Sequence, residues 1–328
     1  MNTPFVSIII PCRNEEVYIS RCLESLLNQT YPRDLLEIIV VDGMSTDTTR
    51  EIVENYHVSF PALIRLISNE KKITAVARNL GITAAKGEIV CFFDAHATYA
   101  TNYIMVCVGH LQSNDVDAVG GMFATVASTH SRQARAIACV LSSQVGSGNS
   151  RFRVGVKTPQ LVDTVFGACY RKEVFDRIGI FNERLIRSQD MEFNLRLIAA
   201  GGKILLAPQA KAEYYPKSTL LQFFFHNISD GIWALQPLKI TGRPLRLRHY
   251  VPLLFVASLL TLTVLGLFFS FFLIILVLEL MAYLGVTILA SLQCARKNRD
   301  MLLLCITPPA FWMRHIGYGI GSLIGIIK

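Results

Sequence analysis

Short apolar runs alternate with segments of helical spacing along the first part of the chain. The runs at residues 5–10, 36–41, 63–67 and 88–93 are of strand length and consist largely of apolar residues. Continuous apolar runs of this length are typical of parallel strands that are buried on both faces. Between the first two runs, apolar residues recur at helical spacing, at Ile19, Cys22, Leu23, Leu26 and Leu27. The order strand, helix, strand predicts a right-handed, doubly wound α/β sheet.

Further elements are predicted by polar caps and by returning periodicity. Ser and Thr residues at 45–49 predict the start of a second helix that runs to about residue 56, and 74–86 is predicted as a third helix. From about residue 118 to 165 the pattern is irregular, and we expect loops and short strands that line an acceptor site. Regular elements are predicted again at 165–168, 191–200 and 203–206.

A long apolar segment follows the mixed first part of the chain. From Val251 to Cys294 the only formal charge is Glu279. One bilayer crossing needs about 20 residues, so the segment predicts two spans, about 250–268 and 271–293, with a turn near 266–270. Cations on both flanks place both ends in the cytosol. These cations are Lys239, Arg243, Arg246, Arg248, Arg296, Lys297 and Arg299.

A third apolar segment, residues 301–327, contains two prolines and two basic residues. They are Pro308, Pro309, Arg314 and His315. Pro and charge at membrane depth need protein partners, so the segment fits a re-entrant or interfacial segment as well as a third span. Two spans with an interfacial C-terminus are favoured. For Glu279, a role in helix packing or a position near the outer interface is favoured over a functional intramembrane carboxylate.

Composition agrees with a membrane protein and narrows the partners. The chain is 52% hydrophobic and 17% charged, with net charge +8, whereas soluble domains are about 25% charged. Eight cysteines without a CxxC pair predict reduced thiols, no disulfide and no zinc site. No basic stripe with interleaved aromatics is present, which argues against nucleic acid. An apolar cluster before the spans predicts an interfacial helix rather than soluble core: Phe223, Phe224, Phe225, Ile228, Ile232 and Trp233.

Polar residues follow the predicted strands, where sheets of this type bind ligands. Asp42 could accept hydrogen bonds from a base or ribose, or close an Asp-Gly turn. Asp94 and His96 suit a divalent cation carried by a diphosphate, although His96 alone could simply bond locally. Arg78 could pair with phosphate or lie on the surface. Asp190 could be a general base or a helix N-cap.

Five sequence blocks together resemble the inverting glycosyltransferases of family 2 over about residues 4–216. The blocks are residues 6–16, 39–49, 77–82, 86–96 and 189–190. The membrane hairpin is also similar to that of succinoglycan-type exopolysaccharide glycosyltransferases, which carry an Asp-Ala-His variant of the usual DxD motif. The resemblance implies a GT-A fold, a Rossmann-like nucleotide-diphospho-sugar transferase domain, followed by C-terminal transmembrane helices. We expect a domain at 1–240 and a membrane domain at 241–328.

The resemblance also implies roles for individual residues. Asp190 would be the catalytic base, and Asp94 with His96 would hold Mn²⁺ or Mg²⁺. The residues that it assigns to nucleotide-sugar binding are Pro11, Arg13, Glu15, Asp42, Arg78 and Asp94. Two departures are visible: Gln189 replaces the acidic residue that usually precedes the base, and residues 222–233 lack a QxxRW motif. The second departure favours transfer of a single sugar over processive synthesis.

We therefore expect an inverting, metal-dependent glycosyltransferase of the inner membrane, multi-pass, with its catalytic domain in the cytoplasm. The expected donor is a UDP-sugar, with UDP-glucose first, and the acceptor is a polyprenyl-diphosphate-linked saccharide in exopolysaccharide or cell-envelope glycan assembly. A polyprenyl-phosphate sugar synthase is a rival, but residues 94–98 lack its DADxQ-like pattern. A noncatalytic membrane scaffold is a second rival. The joint presence of Asp42, Asp94, His96 and Asp190 argues against a scaffold.

Overall fold

The computed structural model describes residues 3–327. Its strands are β1 (Val6–Cys12), β2 (Leu36–Asp42), β3 (Ile64–Ser68), β4 (Ile89–Phe92), β5 (Ala97–Tyr99), β6 (Ala118–Thr125), β7 (Gln160–Val162), β8 (Phe166–Arg171) and β9 (Ile204–Tyr214). Its helices are α1 (Ile19–Leu27), α2 (Thr49–Ser59), α3 (Thr74–Ala84), α4 (Tyr103–Ser113), α5 (Arg132–Ser142), α6 (Gln144–Ser147), α7 (Arg151–Val154), α8 (Glu173–Ile178), α9 (Gln189–Ala199), α10 (Leu220–Ala234), α11 (Gln236–Thr241), α12 (Val251–Gly266), α13 (Ser270–Asn298) and α14 (Leu303–Ile327). Two compact units result, one from residues 3–124 with 155–214 and one from 125–154 with 215–327.

The first unit contains a mixed sheet with strand order β3-β2-β1-β4-β8-β6-β9-β5, and β7 also pairs with β9. The first four strands in this order are parallel, as the apolar runs predict. The pairs β4–β8, β6–β8 and β5–β9 are antiparallel. The doubly wound parallel pattern is therefore confined to the N-terminal half of the sheet.

Helix α3 packs closely against the centre of the parallel strands. Ala75 and Ala77 share a buried core with Ile9 of β1 and Ile39 of β2. A Cβ atom on Gly81 would come within 2.4 Å of Ile9 Cγ2, so only glycine allows this approach. The contact fixes α3, and with it Arg78, beside the carboxyl-terminal half of β1 and β4.

The irregular stretch at 118–165 is more ordered than expected. Loops and short strands were predicted, but the structure places the eleven-residue helix α5 at its centre. Ser131 caps this helix, because its Oγ accepts a hydrogen bond of 3.1 Å from the Ala134 amide. Ile137, Val140 and Leu141 supply the buried face. The pattern was missed because alanines dilute the apolar periodicity.

The second unit is a helical assembly in which α10 and α14 touch through their backbones. A Cβ atom on Gly231 would lie 2.1 Å from the Tyr318 carbonyl oxygen, and one on Gly321 would lie 2.1 Å from that of Ile228. The predicted interfacial cluster is split: Phe223 is buried in the core of this unit, whereas Phe225 is 60% exposed. The interfacial interpretation is therefore wrong for Phe223.

Helix α13 is long and apolar enough to cross a membrane, and α12 is a shorter apolar helix. The break between them, from Gly266 to Ser270, lies where the turn was predicted. Ser258 of α12 donates a hydrogen bond of 2.6 Å to Oε1 of Glu279 on α13. This bond joins the two helices, as the packing interpretation of Glu279 predicts.

The C-terminal segment forms one helix, α14, with Pro308 and Pro309 inside it. Its basic residues have protein partners among the described residues. Arg314 donates to the Gly146 carbonyl at 3.2 Å and to Oδ1 of Asn227. His315 donates from Nε2 to the Val145 carbonyl at 3.1 Å.

The expectation of no disulfide is contradicted in the second unit. Cys139 of α5 and Cys294 of α13 form a disulfide, with their Cα atoms 6.0 Å apart. The expectation failed because 155 residues separate the two cysteines, and only the packing of α5 against α13 brings them within bonding range.

Candidate functional site

The loops that follow β1 and β2 are joined by hydrogen bonds at the carboxyl-terminal edge of the sheet. The Asn14 amide donates to Ser45 Oγ at 2.9 Å, the Thr46 amide donates to Asn14 Oδ1 at 2.8 Å, and the Glu15 amide donates to Thr49 Oγ1 at 2.7 Å. The polar cluster at 45–49 was predicted to open a helix, and the structure confirms this: Thr48 is the N-cap of α2, and the Thr49 amide donates to Asp47 Oδ1 at 3.0 Å. The same cluster also holds the two loops together.

Asp42 closes the turn at the end of β2. Its carboxylate is almost fully buried and accepts hydrogen bonds from the Ser45 amide at 3.2 Å and the Ser45 hydroxyl at 2.5 Å. Arg50 Nη1 lies 3.6 Å from Asp42 Oδ2. Of the two roles considered for Asp42, the structure shows the turn. In the preceding strand, Pro11 is aligned with Val41 in register, so Pro11 lies one position from the same strand end.

Asp94 and His96 lie between β4 and β5, on the loop predicted to bind a cation. His96 Nδ1 lies 3.0 Å from Glu15 Oε1, and the His96 ring packs edge-on against Tyr214 with centroids 5.0 Å apart. The Asp94 amide donates to the Tyr99 hydroxyl at 2.8 Å. The half-buried Asp94 carboxylate makes no hydrogen bond to any residue that the structure describes. Its oxygens can therefore bind a ligand without breaking a protein contact.

The charges of Arg78, the predicted phosphate-binding residue, and Asp190, the predicted base, both act on the buried phenol of Tyr170. Arg78 stacks over the rings of Phe92 and Phe181, with its guanidinium carbon 5.4 and 5.0 Å from their centroids. Burial raises the pKa of Tyr170; the Arg78 charge opposes this rise and the Asp190 charge adds to it. The two charges therefore act on one buried phenol. Arg78 is half-buried rather than a surface residue.

Asp190 lies in the first turn of α9 and is exposed. Within the described part of the chain its side chain makes no hydrogen bond, and the helix N-cap is Ser188. The N-cap role considered for Asp190 is therefore wrong. Gln189 beside it is buried, and its Oε1 has no hydrogen-bond partner among residues 3–327. A solvent-accessible carboxylate in this position can accept a proton from a bound hydroxyl group.

Carboxylates lie near two buried thiols at the strand ends. Burial raises the pKa of the Cys12 thiol, and the charges of Asp42, Glu15 and Asp47 raise it further. Burial likewise raises the pKa of Cys22, with Asp94 as the next cause. These thiols stay protonated at neutral pH and are poor nucleophiles. The surplus of carboxylates suits a substrate that arrives with a cation.

The structure brings some predicted residues together and leaves others apart. It places Glu15 against His96, and the charges of Arg78 and Asp190 both act on the Tyr170 phenol. Arg13 is exposed and makes no hydrogen bond or ion pair to another described residue. Asn14, Thr49 and Tyr170 were missed by sequence reasoning. The residue type of Asn14 could have indicated its role. Asn14 has a left-handed backbone, with φ 54°, and Asn is among the few residues besides Gly that adopt this conformation.

Some of the residues present could ligate the implied Mn²⁺ or Mg²⁺. Asp94 offers a carboxylate without a protein hydrogen bond, and the Glu15 carboxylate can only accept, so it holds the His96 proton on Nδ1. Such a carboxylate–histidine pair commonly supports metal ligation by the other ring nitrogen. In the described range no three His, Cys, Asp or Glu side chains converge. The pair therefore fits a cation that takes its remaining ligands from substrate oxygens.

Comparison with known proteins gives consistent matches. A family model described as Glycosyl transferase family 2 matches residues 7–179. The dolichyl N-acetyl-alpha-D-glucosaminyl phosphate 3-beta-D-2,3-diacetamido-2,3-dideoxy-beta-D-glucuronosyltransferase of Methanococcus voltae is 29% identical over 330 residues, which cover 99% of this chain and 98% of that protein. The succinoglycan biosynthesis protein ExoA of Rhizobium meliloti (strain 1021) is 29% identical over 226 residues, covering 68% of this chain and 67% of that protein.

One solved structure resembles the whole chain. The mannosyltransferase PcManGT from Pyrobaculum calidifontis, in complex with GDP-Man and Mn²⁺, aligns with a TM-score of 0.63 at 21% identity and covers 99% of this chain and 87% of that chain. At this identity the similarity shows the fold, which is of the GT-A type.

Proposed function

Because the chain belongs to glycosyl transferase family 2, we propose that it is a membrane-anchored, inverting enzyme that transfers one sugar from a nucleotide diphosphate sugar. The observation that carries this proposal is the pair of carboxylates, Asp94 and Asp190, that make no hydrogen bond to the described residues of a family 2 sheet. Such groups are available to a metal-bound diphosphate and to an acceptor hydroxyl, respectively. The first donor to test is UDP-glucose.

The proposed reaction is a single displacement. Asp190 accepts the proton of the acceptor hydroxyl while that oxygen attacks the anomeric carbon from the face opposite the nucleoside diphosphate. The new C–O bond forms as the bond to the diphosphate oxygen breaks, and configuration inverts. Proton transfer to a positioned base typically contributes about 10² to 10⁴ in rate. Arg78 would stabilise the negative charge left on the diphosphate.

Asp94 and His96 would hold Mn²⁺ or Mg²⁺ together with the diphosphate oxygens. The bound cation would neutralise charge on the leaving group. Asp42 and Pro11, at adjacent strand ends, and the exposed Arg13 would contact the nucleoside. Among the described residues, the buried Asp42 carboxylate accepts hydrogen bonds from Ser45 and has Arg50 Nη1 3.6 Å from its Oδ2, which leaves acceptor capacity for a base N–H.

The proposed acceptor is a sugar carried on a polyprenyl phosphate or diphosphate. Two features support this acceptor. The first is the long apolar helix α13, with α12 before it. The second is the name of the Methanococcus relative, which describes a dolichyl-linked acceptor. We propose two spans, about 250–268 and 271–293, with both ends in the cytosol of the inner membrane. The segment at 301–327 would lie re-entrant or at the interface.

The experiment that tests the function is release of UDP or GDP from a panel of sugar nucleotides, with Mn²⁺ and membrane lipid extract. Wild-type protein is compared with Asp190→Asn. Release from one donor that depends on lipid and is lost in the variant supports the proposal. A product with the sugar directly on polyprenyl phosphate would instead indicate a synthase. The enzyme proposal falls if no donor is consumed and none stabilises the protein against heat.

A further inference from the structure

The geometry around His96 points to a role for Glu15 other than nucleoside binding. We infer that Glu15 is a positioning residue, which holds the His96 imidazole in the tautomer and orientation that a divalent cation requires. The inference rests on the proposed function, since it deepens the metal site. Its basis is the 3.0 Å contact between Glu15 Oε1 and His96 Nδ1, across 81 residues of sequence.

The contact defines the proton position on His96. An ionised carboxylate only accepts hydrogen bonds, so the proton resides on Nδ1 and the lone pair on Nε2. The side chains are 20% exposed for Glu15 and 30% exposed for His96, so water screens the bond only in part. Donation from the second ring nitrogen to a carboxylate also raises the basicity of the ligating nitrogen.

The backbone of Glu15 is held on both sides, which makes it a rigid support. Its amide donates to Thr49 Oγ1 at 2.7 Å, and its carbonyl accepts from the amides of Tyr18 and Ile19 at 2.9 Å each. These bonds tie Glu15 to the loop after β2 and to the start of α1. The carboxylate is therefore aimed at His96 by the fold itself.

A second contact restrains the His96 ring. Tyr214 packs edge-on against it, and Tyr214 is fixed by the pairing of β9 with β5, in which it lies opposite Ala97. The imidazole thus contacts both a carboxylate and an aromatic ring. Loss of Glu15 removes the partner that selects the ring orientation and leaves the aromatic contact in place.

Two roles for Glu15 make opposite predictions. A residue that binds the nucleoside contributes to UDP affinity whether or not metal is present. A residue that orients His96 contributes to Mn²⁺ affinity and acts only through His96. The test therefore measures UDP binding in EDTA by calorimetry, and Mn²⁺ binding at saturating UDP by the loss of the free-ion electron paramagnetic resonance signal.

The variants are Glu15→Ala, Glu15→Gln, His96→Ala and the double variant, in the detergent-solubilised full chain. Removing such an outer partner typically lowers metal affinity about 10- to 100-fold, and we expect this for Glu15→Ala with UDP affinity in EDTA unchanged. Glu15→Gln should retain part of the affinity, because its amide oxygen still accepts from Nδ1. In the His96→Ala background, Glu15→Ala should have no further effect on Mn²⁺ binding.

Glu51→Ala, an exposed carboxylate in the first turn of α2, is the matched control and should bind both ligands as wild type does. Thermal unfolding confirms that each variant is folded. The inference is overturned if Glu15→Ala leaves Mn²⁺ affinity unchanged, lowers it equally without His96, or lowers UDP affinity in EDTA. Failure of wild-type protein to bind either UDP or GDP, or to bind Mn²⁺ together with the bound nucleotide, would instead overturn the proposed function.

Discussion

The phenol of Tyr170 donates a hydrogen bond of 2.9 Å to Oδ1 of Asn194, joining β8 to α9. Both residues are buried. Tyr170→Phe would leave the Asn194 oxygen without this donor, and a buried polar atom left unpaired costs about 1 to 3 kcal/mol. We expect a lower Tm by thermal unfolding. Tyr56→Phe, which loses a bond to Glu24 at the surface, should change Tm little; an equal loss would contradict the argument.

The raised pKa of the Tyr170 phenol predicts that the folded protein loses stability in alkali. Because its pKa is raised on folding, Tyr170 stabilises the native state fully below its ordinary pKa of about 10. That contribution is lost as pH rises towards the folded pKa. The free energy of unfolding of Tyr170→Phe should therefore decline less steeply above about pH 10 than that of wild type. Parallel curves would show that the phenol is not the group responsible.

The lowered pKa of Glu183 predicts that the folded protein loses stability in acid. Its pKa is lowered, first by the hydrogen bond from Lys71 and then by that from Asn79. Stability from this carboxylate is present above its ordinary pKa and is lost as pH falls through the lowered one. The group is exposed, so the effect is small, about 0.2 to 1 kcal/mol. Unfolding of Glu183→Gln should differ from wild type near neutrality and converge with it in acid; a difference that stays the same at every pH would contradict this assignment.

The proposed role of Asp190 as general base predicts that its replacement lowers kcat and leaves donor binding unchanged. Asp190→Asn should lower kcat by about 10² to 10⁴, as expected for loss of a general base, while the Kd for the sugar nucleotide stays as in wild type. The exposed Asp176 on α8 provides a control: Asp176→Asn should retain full activity. Steady-state kinetics with calorimetric donor binding separates the two parameters. Weaker donor binding with unchanged kcat would remove Asp190 from the chemistry.

The contact between α10 and α14 predicts a sharp contrast between two glycines. A methyl group on Gly321 would collide with the Ile228 carbonyl oxygen, whereas one on Gly285 of α13 meets nothing within 4 Å. Gly321→Ala should separate the helices and lower stability by about 1 to 3 kcal/mol. Gly285→Ala should be neutral or slightly stabilising, since alanine favours helix. The Tm of each variant in detergent decides the matter.

The sequence predicted those parts of the molecule whose determinants are local. The parallel strands were visible because β1 and β2 are apolar at nearly every position, and their polar ends located Asp42 and Asp94. Of the antiparallel half only the segments 165–168 and 203–206 were visible, because β6 contains Gly120 and Gly121, and the second half of β9 carries polar residues on one face. Helix α5 was missed although Ser131 caps it.

The contacts within the site join residues that are far apart in the sequence. No local sequence pattern predicts such contacts. Glu15 and His96 belong to different loops and meet only because β1 lies beside β4 in the sheet. For the same reason the stacking of Arg78 between Phe92 and Phe181 could not be read from the helix pattern of α3. The disulfide between Cys139 and Cys294 has the same origin, in helix packing.

The arrangement of the second unit also bears on how the protein is made. Ile137 and Val140 of α5 share a core with Leu303 and Phe311 near the far end of the chain. The ribosome releases α5 well before it has synthesised α14, so during that interval the apolar face of α5 lacks its final partners. A protein shortened to end at residue 240 would keep Phe223 of α10 in this core but would lose Leu303 and Phe311 permanently. The apolar face of α5 is therefore only partly covered until α14 has been made.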